Sequence, residues 1–444
     1  MLSIEDNELL CRVGRGTPMG DLMRQYWIPA IRSDELPSPD CPPVRIRLLG
    51  EDLVAFRDTS GSVGVFQNAC PHRGASMFFG RNEENGLRCV YHGWKFDTTG
   101  ACVDMPSEPA ESNFRTKVRI GAYPAHERGG IVWAYMGPRQ ELPPLPDLEA
   151  NMLPDGQYSM YTIFQECNYM QGWEGEMDTV HQAFLHYGAE RPTDIQEGTA
   201  GFYIARQRQA KFCVLETEFG TSYGAYRPAE DDTYYWRIAH MMLPFYAMIP
   251  TGTLGLEIRF RAYVPVDDDH TICWTITGRN GERPGREGLR GTGGTQRAGG
   301  EPSIQWVPNG THWDERWRLT QNPANDFGLD RELQKSGRSF SGIPGGARPQ
   351  DMAVTYSMGP IYNRSREHLG TTDQLIIRSR RRMIAAAKAF RDEAVVPPGV
   401  DNPEFYSHRS GGVILPRSVD WWTATSELRK AFVKHEDLAP LVGV

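Results

Sequence analysis

Between Val44 and Phe56 the chain reads VRIRLLGEDLVAF, with charged and apolar positions interleaved around a Gly50-Glu51-Asp52 turn. A period of two marks a strand with one face buried, so a hairpin is predicted here. Asp58-Thr59-Ser60-Gly61-Ser62 forms another turn, and VGVFQN follows as a strand. CVYHGWKFD, the turn around Thr99-Gly100 and ACVD predict a second hairpin, and IVWAYMG at Ile131–Gly137 one more strand. Prolines at 138, 143, 144 and 146 then stiffen a non-helical run that reads as a linker. Beyond it the pattern is longer and mixed. TYYWRIAHMML, LGLEIRFRAYVPV and HTICWTITG predict long strands, MDTVHQAFLH a helix, and Leu375–Ala394 a basic, Ala-rich helix. Between Gly278 and Gly300 the glycines do not stand between a strand and a helix in dinucleotide-binding order, so this Arg-rich stretch reads as a mobile loop or lid.

Length and composition narrow the class. The 444 residues allow two unequal domains or three, and 39% apolar content allows a large core. A formal charge of −8 argues against a nucleic-acid binder, which carries a basic surplus or stripe. The first ten residues place Glu5, Asp6 and Glu8 where a secretory signal needs a basic and then an apolar run. No stretch approaches the ~20 apolar residues of a membrane span. Eight cysteines are sparse for this length, which fits a reducing cytoplasm rather than a disulfide framework.

Two constellations carry chemistry. Cys70-Pro71-His72 is followed, sixteen residues on, by Cys89-Val90-Tyr91-His92. Each half lets one tight loop aim a thiolate and an imidazole at a metal. Such a set can hold structural zinc or a Rieske [2Fe–2S] centre, with two Cys on one iron and two His on the other. Pairing one Cys with one His in each half favours the second; buried Cys and His with no metal is the plain alternative. Gly74, Gly93 and Trp94 follow the ligands, as loops folded over a cluster require.

The second constellation is Asp178-x-x-His181-x₄-His186. Two His and a later carboxylate would make the facial triad of a non-haem Fe(II) site with positions open for O₂. Residues five apart lie about 140° apart on an ideal helix. The two imidazoles therefore converge only where the helix is widened, kinked or ending. Alone, the motif is equally compatible with solvated or core histidines.

CPH…CVYHGW, then NYMQGWEGEMDTVHQAFLH and QDMAVTYSMGPIYNRSREHLG, resemble in order and separation the oxygenase component of Rieske non-haem iron oxygenases, in their phthalate dioxygenase-like branch. The resemblance implies an α+β chain. Its parts would be an N-terminal helical segment (1–25), an all-β Rieske domain (26–137), a linker (138–154) and a helix-grip catalytic domain (155–444). It implies that Cys70, His72, Cys89 and His92 hold the cluster and that His181 and His186 hold the iron. Asp351 would be the third iron ligand, with Asp326, Asp330 and Asp373 as nearby alternatives; a helix N-cap is the plain reading of Asp351. Asp178 would bridge a neighbouring subunit's His92 to His181, which implies a homo-oligomer, a trimer or stacked trimers. Ala75 and Gly93 occupy positions where respiratory Rieske proteins carry an additional Cys, so the cluster reads as the oxygenase type. Tyr356 stands where close phthalate dioxygenase-like relatives are expected to have Glu.

The implied reaction uses O₂ and electrons drawn from NAD(P)H through a separate flavin/iron–sulfur reductase, because the chain has no flavin, nicotinamide or plant-type ferredoxin motif of its own. It would dihydroxylate an aromatic carboxylate; O-demethylation of an aryl ether carboxylate uses the same ligands. An electron carrier without catalysis would need the first constellation only. Arg206, Arg208, Arg237 and Arg259 could clamp a carboxylate, or be surface strand charges.

Overall fold

The computed structural model describes residues 2–109, 111–281 and 304–442. The Gly- and Arg-rich stretch lies outside the described residues from 282 onward, so nothing bears on its reading as a lid. The helices that matter below are, in chain order, α1 (Ile4–Cys11), α2 (Pro18–Met23), α3 (Tyr169–Met177), α4 (Ala200–Arg206), α5 (Arg331–Lys335), α6 (Ala347–Ser357) and α7 (Gln374–Glu393). Among the described residues no helix is long and apolar enough to cross a membrane.

The first third is built of short antiparallel strands in three small sheets. One pairs Val44–Leu48 with Glu51–Arg57 and Val63–Gln67. The expected turn falls one residue early, at Leu49 and Gly50, both with positive φ. A second sheet runs from Arg81–Asn82 to Cys102–Asp104, with Leu87–Arg88 and Lys95–Phe96 between them. Here the predicted strand CVYHGWKFD is corrected. Only Lys95 and Phe96 are strand, because Cys89–Trp94 closes on itself as a loop: the Cys89 amide donates to the Trp94 carbonyl at 2.8 Å. Val54, Phe56, Phe66, Leu87 and Phe96 form a core beneath these loops.

The larger unit is one antiparallel sheet. Its order is Tyr158–Gln165, Thr271–Arg279, Glu257–Pro265, Tyr246–Met248, Thr233–Met242, Gly220–Pro228 and Lys211–Thr217, with Gly411–Pro416 also paired to Thr233–Met242. Strand Glu257–Pro265 shows why it holds: Ile258, Phe260 and Ala262 enter the core, while Arg259 and Arg261 alternate onto the other face. The helix α3 lies close against that strand, and a Cβ on Gly172 would meet the Tyr263 ring at 2.4 Å. Trp173 Nε1 donates to the Tyr246 carbonyl at 3.0 Å. Glu174 on α3 is clamped by Arg364 at 3.0 Å and by Arg380 of α7 at 2.7 Å, both arginines being buried. Removing one partner of a buried pair like this costs about 3–5 kcal/mol. Helices α1 and α2 rest on α7. The chain is thus α+β, with a small all-β unit followed by a sheet wrapped by helices.

Candidate functional site

The two Cys–His loops are near copies of each other. The Cys70 amide donates to the Ala75 carbonyl and the Gly74 amide returns to the Cys70 carbonyl, both at 2.8 Å. Cys89, Trp94 and Gly93 repeat this at 2.8 and 2.9 Å. Each loop needs a left-handed residue to close, and Gly74 (φ 75°) and Gly93 (φ 79°) provide it. The rings of His72 and His92 come to 4.4 Å between centroids, and His72 stacks on Trp94 at 4.3 Å.

These residues suit a cluster on their own geometry. His72 Nδ1 is buried with no hydrogen-bond partner, the state of a ring nitrogen aimed at a ligand position. Burial, together with the facing Cys89, pushes the Cys70 thiol up to about 11. A cation beside it would offset the cost of ionising such a thiol.

The second constellation converges as well. α3 ends at Met177, and Asp178 leaves helical geometry. The predicted continuous helix over MDTVHQAFLH is therefore corrected to a break followed by a π turn at Gln182–His186. The wider turn brings residues five apart onto one side. His181 and His186 Nε2 atoms lie 3.1 Å apart, and Asp351 Oδ1 is 3.5 Å from the first and 3.1 Å from the second. Asp351 is not an N-cap, since α6 begins at Ala347 after Gly346. Asp330 caps α5 instead, and Asp373 accepts from the Gly370 amide. Among the described residues His181, His186 and Asp351 form the one three-membered group whose ligand atoms could share a metal ion.

Protonation of the site is set by neighbours. Gln350 Nε2 donates to the Ile343 carbonyl at 3.0 Å, so its Oε1 is the acceptor facing His186 Nδ1 at 2.8 Å. The His186 proton therefore resides on Nδ1, and Nε2 presents a lone pair. Asp178 Oδ1 accepts from the Val180 amide at 2.7 Å, and Oδ2 stands 3.6 Å from His181 Nδ1. Burial opposes charge on His181, but the Asp178 contact and the charges of Asp351 and Asp178 outweigh it and push the imidazole up to about 9. Burial likewise opposes charge on Asp178, and His181 with the backbone amides of Val180 and His181 holds it below the usual carboxylate range.

The candidate arginines divide. Arg206 pairs with Glu230 at 3.3 Å near the surface. Arg208 is occupied by the backbone: it donates to the carbonyls of Ala183 and, at 3.1 Å, Gly188. The π ladder steps over Ala183, because the Tyr187 amide reaches Gln182 and the Gly188 amide reaches Phe184. Arg259 donates to Thr251 Oγ1. Arg237 is 2% exposed, donates through Nε to Thr179 Oγ1 at 2.8 Å and leaves Nη2 buried without a partner. Beside it lies Arg227, 0% exposed, with both terminal nitrogens buried and unpartnered. Burial and the like charge of Arg237 bring Arg227 down to about 10. Neither guanidinium makes an ion pair among the described residues. Sequence reading passed over Arg227, which stands in the strand Gly220–Pro228 with no motif around it.

Residues 26–124 match the family model described as Rieske [2Fe-2S] domain, and residues 134–437 match the one described as LigXa C-terminal domain like. The 3-chlorobenzoate-3,4-dioxygenase oxygenase subunit of Comamonas testosteroni is 45% identical over 98% of this chain and 100% of its own length. This chain is a Rieske oxygenase. It is an oxygenase component, and it is also 38% identical to the phthalate 4,5-dioxygenase oxygenase subunit of Pseudomonas putida, over 88% of this chain and 87% of that one. A 5,5'-dehydrodivanillate O-demethylase oxygenase subunit from a Sphingobium species is 38% identical over 62% of this chain and 63% of its own. Among solved structures, the Pseudomonas putida CBB5 NdmA QL mutant with caffeine superposes on this Rieske oxygenase with a TM-score of 0.56 at 18% identity, covering 86% of this chain and 96% of the other. That likeness speaks to the fold.

Proposed function

We propose that this Rieske oxygenase dihydroxylates an aromatic carboxylate, a phthalate-like or benzoate-like acid. The observation that carries the reading is the buried pair Arg227 and Arg237. Two guanidiniums with no carboxylate partner are costly inside a protein unless an anion completes them. Arg237 is tied to Thr179, between Asp178 and His181, so an anion held there would lie beside the proposed metal site. The names of two relatives, acting on 3-chlorobenzoate and phthalate, agree with such an anion.

In this reading Cys70, His72, Cys89 and His92 hold the [2Fe–2S] cluster, and His181, His186 and Asp351 hold a mononuclear Fe(II). When bound, the two iron centres supply electron storage and O₂ activation. The protein's own part is positional. Gln350 holds the His186 tautomer, Arg208 supports the widened turn, and Arg227 and Arg237 fix the carboxylate end of the substrate so that its ring faces the open side of the triad. Asp178 would join His181 to a Rieske histidine, His92, of a neighbouring copy, which calls for a homo-oligomer, a trimer or stacked trimers. Electrons would come from NAD(P)H by way of a separate reductase. The division into 1–25, 26–137, 138–154 and 155–444 belongs to the same proposal.

The test is turnover of the purified chain with a compatible reductase, NADH and O₂, on aromatic mono- and dicarboxylates and on their neutral methyl esters. A cis-dihydrodiol from an acid, with the ester inert, is the expected result. Equal turnover of acid and ester would overturn the carboxylate reading. Release of formaldehyde from a methoxylated acid would select the O-demethylase alternative, which the Sphingobium relative keeps in view.

A further inference from the structure

A buried polar cluster lies behind the triad, on residues the proposed reaction does not use. Glu176 is on the last turn of α3, two residues before Asp178. Its Oε1 accepts from three donors at once: Arg261, the Tyr263 hydroxyl and, at 2.8 Å, Arg348 Nη2. Arg348 also donates to the Tyr263 hydroxyl at 3.2 Å. The side chains of Glu176 and Arg348 are 10% and 7% exposed, so this pair is sheltered from screening by solvent.

Its placement matters. Arg348 precedes Asp351 by three residues on the first turn of α6, so the two stand one above the other on that helix. The Glu176–Arg348 contact therefore ties the end of α3, from which Asp178 and the His181 segment depart, to the turn that carries Asp351. At the far end of the same helix pair, Gln171 Nε2 donates to the carbonyls of Thr355 and Gly359, both at 2.9 Å. With both ends fastened, α6 cannot slide along α3, and the reach of Asp351 to His181 and His186 is fixed.

We propose that Glu176 and Arg348 are positioning residues that set the carboxylate arm of the mononuclear metal site. This rests on the reading that His181, His186 and Asp351 bind a metal. Its consequence is a metal affinity that depends on a contact made by none of the ligands.

The experiment titrates Co(II), added alone and anaerobically, into the cluster-loaded full chain freed of mononuclear metal, read by the cobalt d–d spectrum. Wild type binds one equivalent. E176Q and R348M each bind at least tenfold more weakly, while the reduced-cluster EPR signal is unchanged. E176D retains most of the affinity, because its charge remains. The double variant E176Q/R348M is no worse than the poorer single variant, since each single variant already removes the Glu176–Arg348 ion pair. Affinity within twofold of wild type in either folded single variant overturns the proposal, and so does multiplication of the two losses in the double. Should E176Q fail to fold, R348M decides, because it leaves Glu176 paired with Arg261. A wild-type chain that takes up no Co(II) would instead sink the metal reading of the triad.

Discussion

His186 donates from Nδ1 to the Gln350 side-chain oxygen across 2.8 Å, and Gln350 is itself held by the Ile343 carbonyl. The orientation of one imidazole of the triad thus depends on a side chain adjacent in sequence to the triad's carboxylate, Asp351. Gln350→Leu removes the acceptor and frees the ring to flip or change tautomer. Affinity at the mononuclear site should fall about 10–100-fold, with the cluster signal intact. Metal titration of the variant checks this; unchanged affinity would show that the tautomer is held by other means.

Metal uptake should be proton-coupled. The His181 imidazole, pushed up to about 9 by Asp178 and Asp351 against burial, is charged at neutral pH in the metal-free chain. Ligation needs it neutral, so each unit of pH lowered from 9 toward 7 should weaken metal binding about tenfold. The stability term has the opposite sense. A raised pKa stabilises the metal-free fold fully below about 6.5, the free imidazole value, and that contribution is lost as pH rises through 9. Titrations at several pH values, with proton release measured in weakly buffered solution, test the first statement. Metal-free melting curves test the second.

Asp178→Asn preserves an oxygen for the Val180 amide, which Asp178 Oδ1 now accepts at 2.7 Å, and removes the negative charge beside His181. Both metal centres should load normally, while electron delivery to the mononuclear site slows about 10–100-fold. Rapid-mixing measurement of cluster reoxidation in the presence of substrate and O₂ is the readout. Wild-type reoxidation rates in the variant would remove Asp178 from the electron path.

Arg227 and Arg237 should trade stability for recognition. Arg237→Met should raise KM for a carboxylate substrate about 10–100-fold, the loss of a charge-assisted hydrogen bond. Arg227→Met replaces a buried, unpaired cation and should leave the substrate-free chain equally stable or more stable. Thermal melts with and without substrate separate these effects: the gain from added acid seen in wild type should shrink in both variants.

The sequence showed what is written in local spacing. Within each half of the first constellation the cysteine, histidine and glycine stand within a few residues of one another, and Asp178, His181 and His186 are similarly close. The strands Thr233–Met242, Glu257–Pro265 and Thr271–Arg279 were visible through long apolar alternation. Trp27–Arg32 was missed because WIPAIR carries a proline and little alternation, yet it pairs with Ile131–Tyr135. Gln350, Glu176 and Arg227 were missed for another reason. Each has meaning only through partners far away in sequence, and a single Gln, Glu or Arg carries no spacing signal. Arg208 shows the converse: its position among strand-like segments suggested a substrate clamp, and the fold assigns it to backbone carbonyls.

The π turn carries a cost that is visible in one atom. Widening the helix by a residue leaves the Ala183 carbonyl between two ladder registers, and the guanidinium of Arg208 is what receives it. The convergence of His181 and His186 in this sense depends on a frustrated helix held open from outside. Neutralising Arg208 would not touch the triad, yet it would let the segment relax toward a tighter register, rotating His186 away from His181. A local rearrangement of this kind would surface first as faster amide exchange between 182 and 188, before any loss of fold.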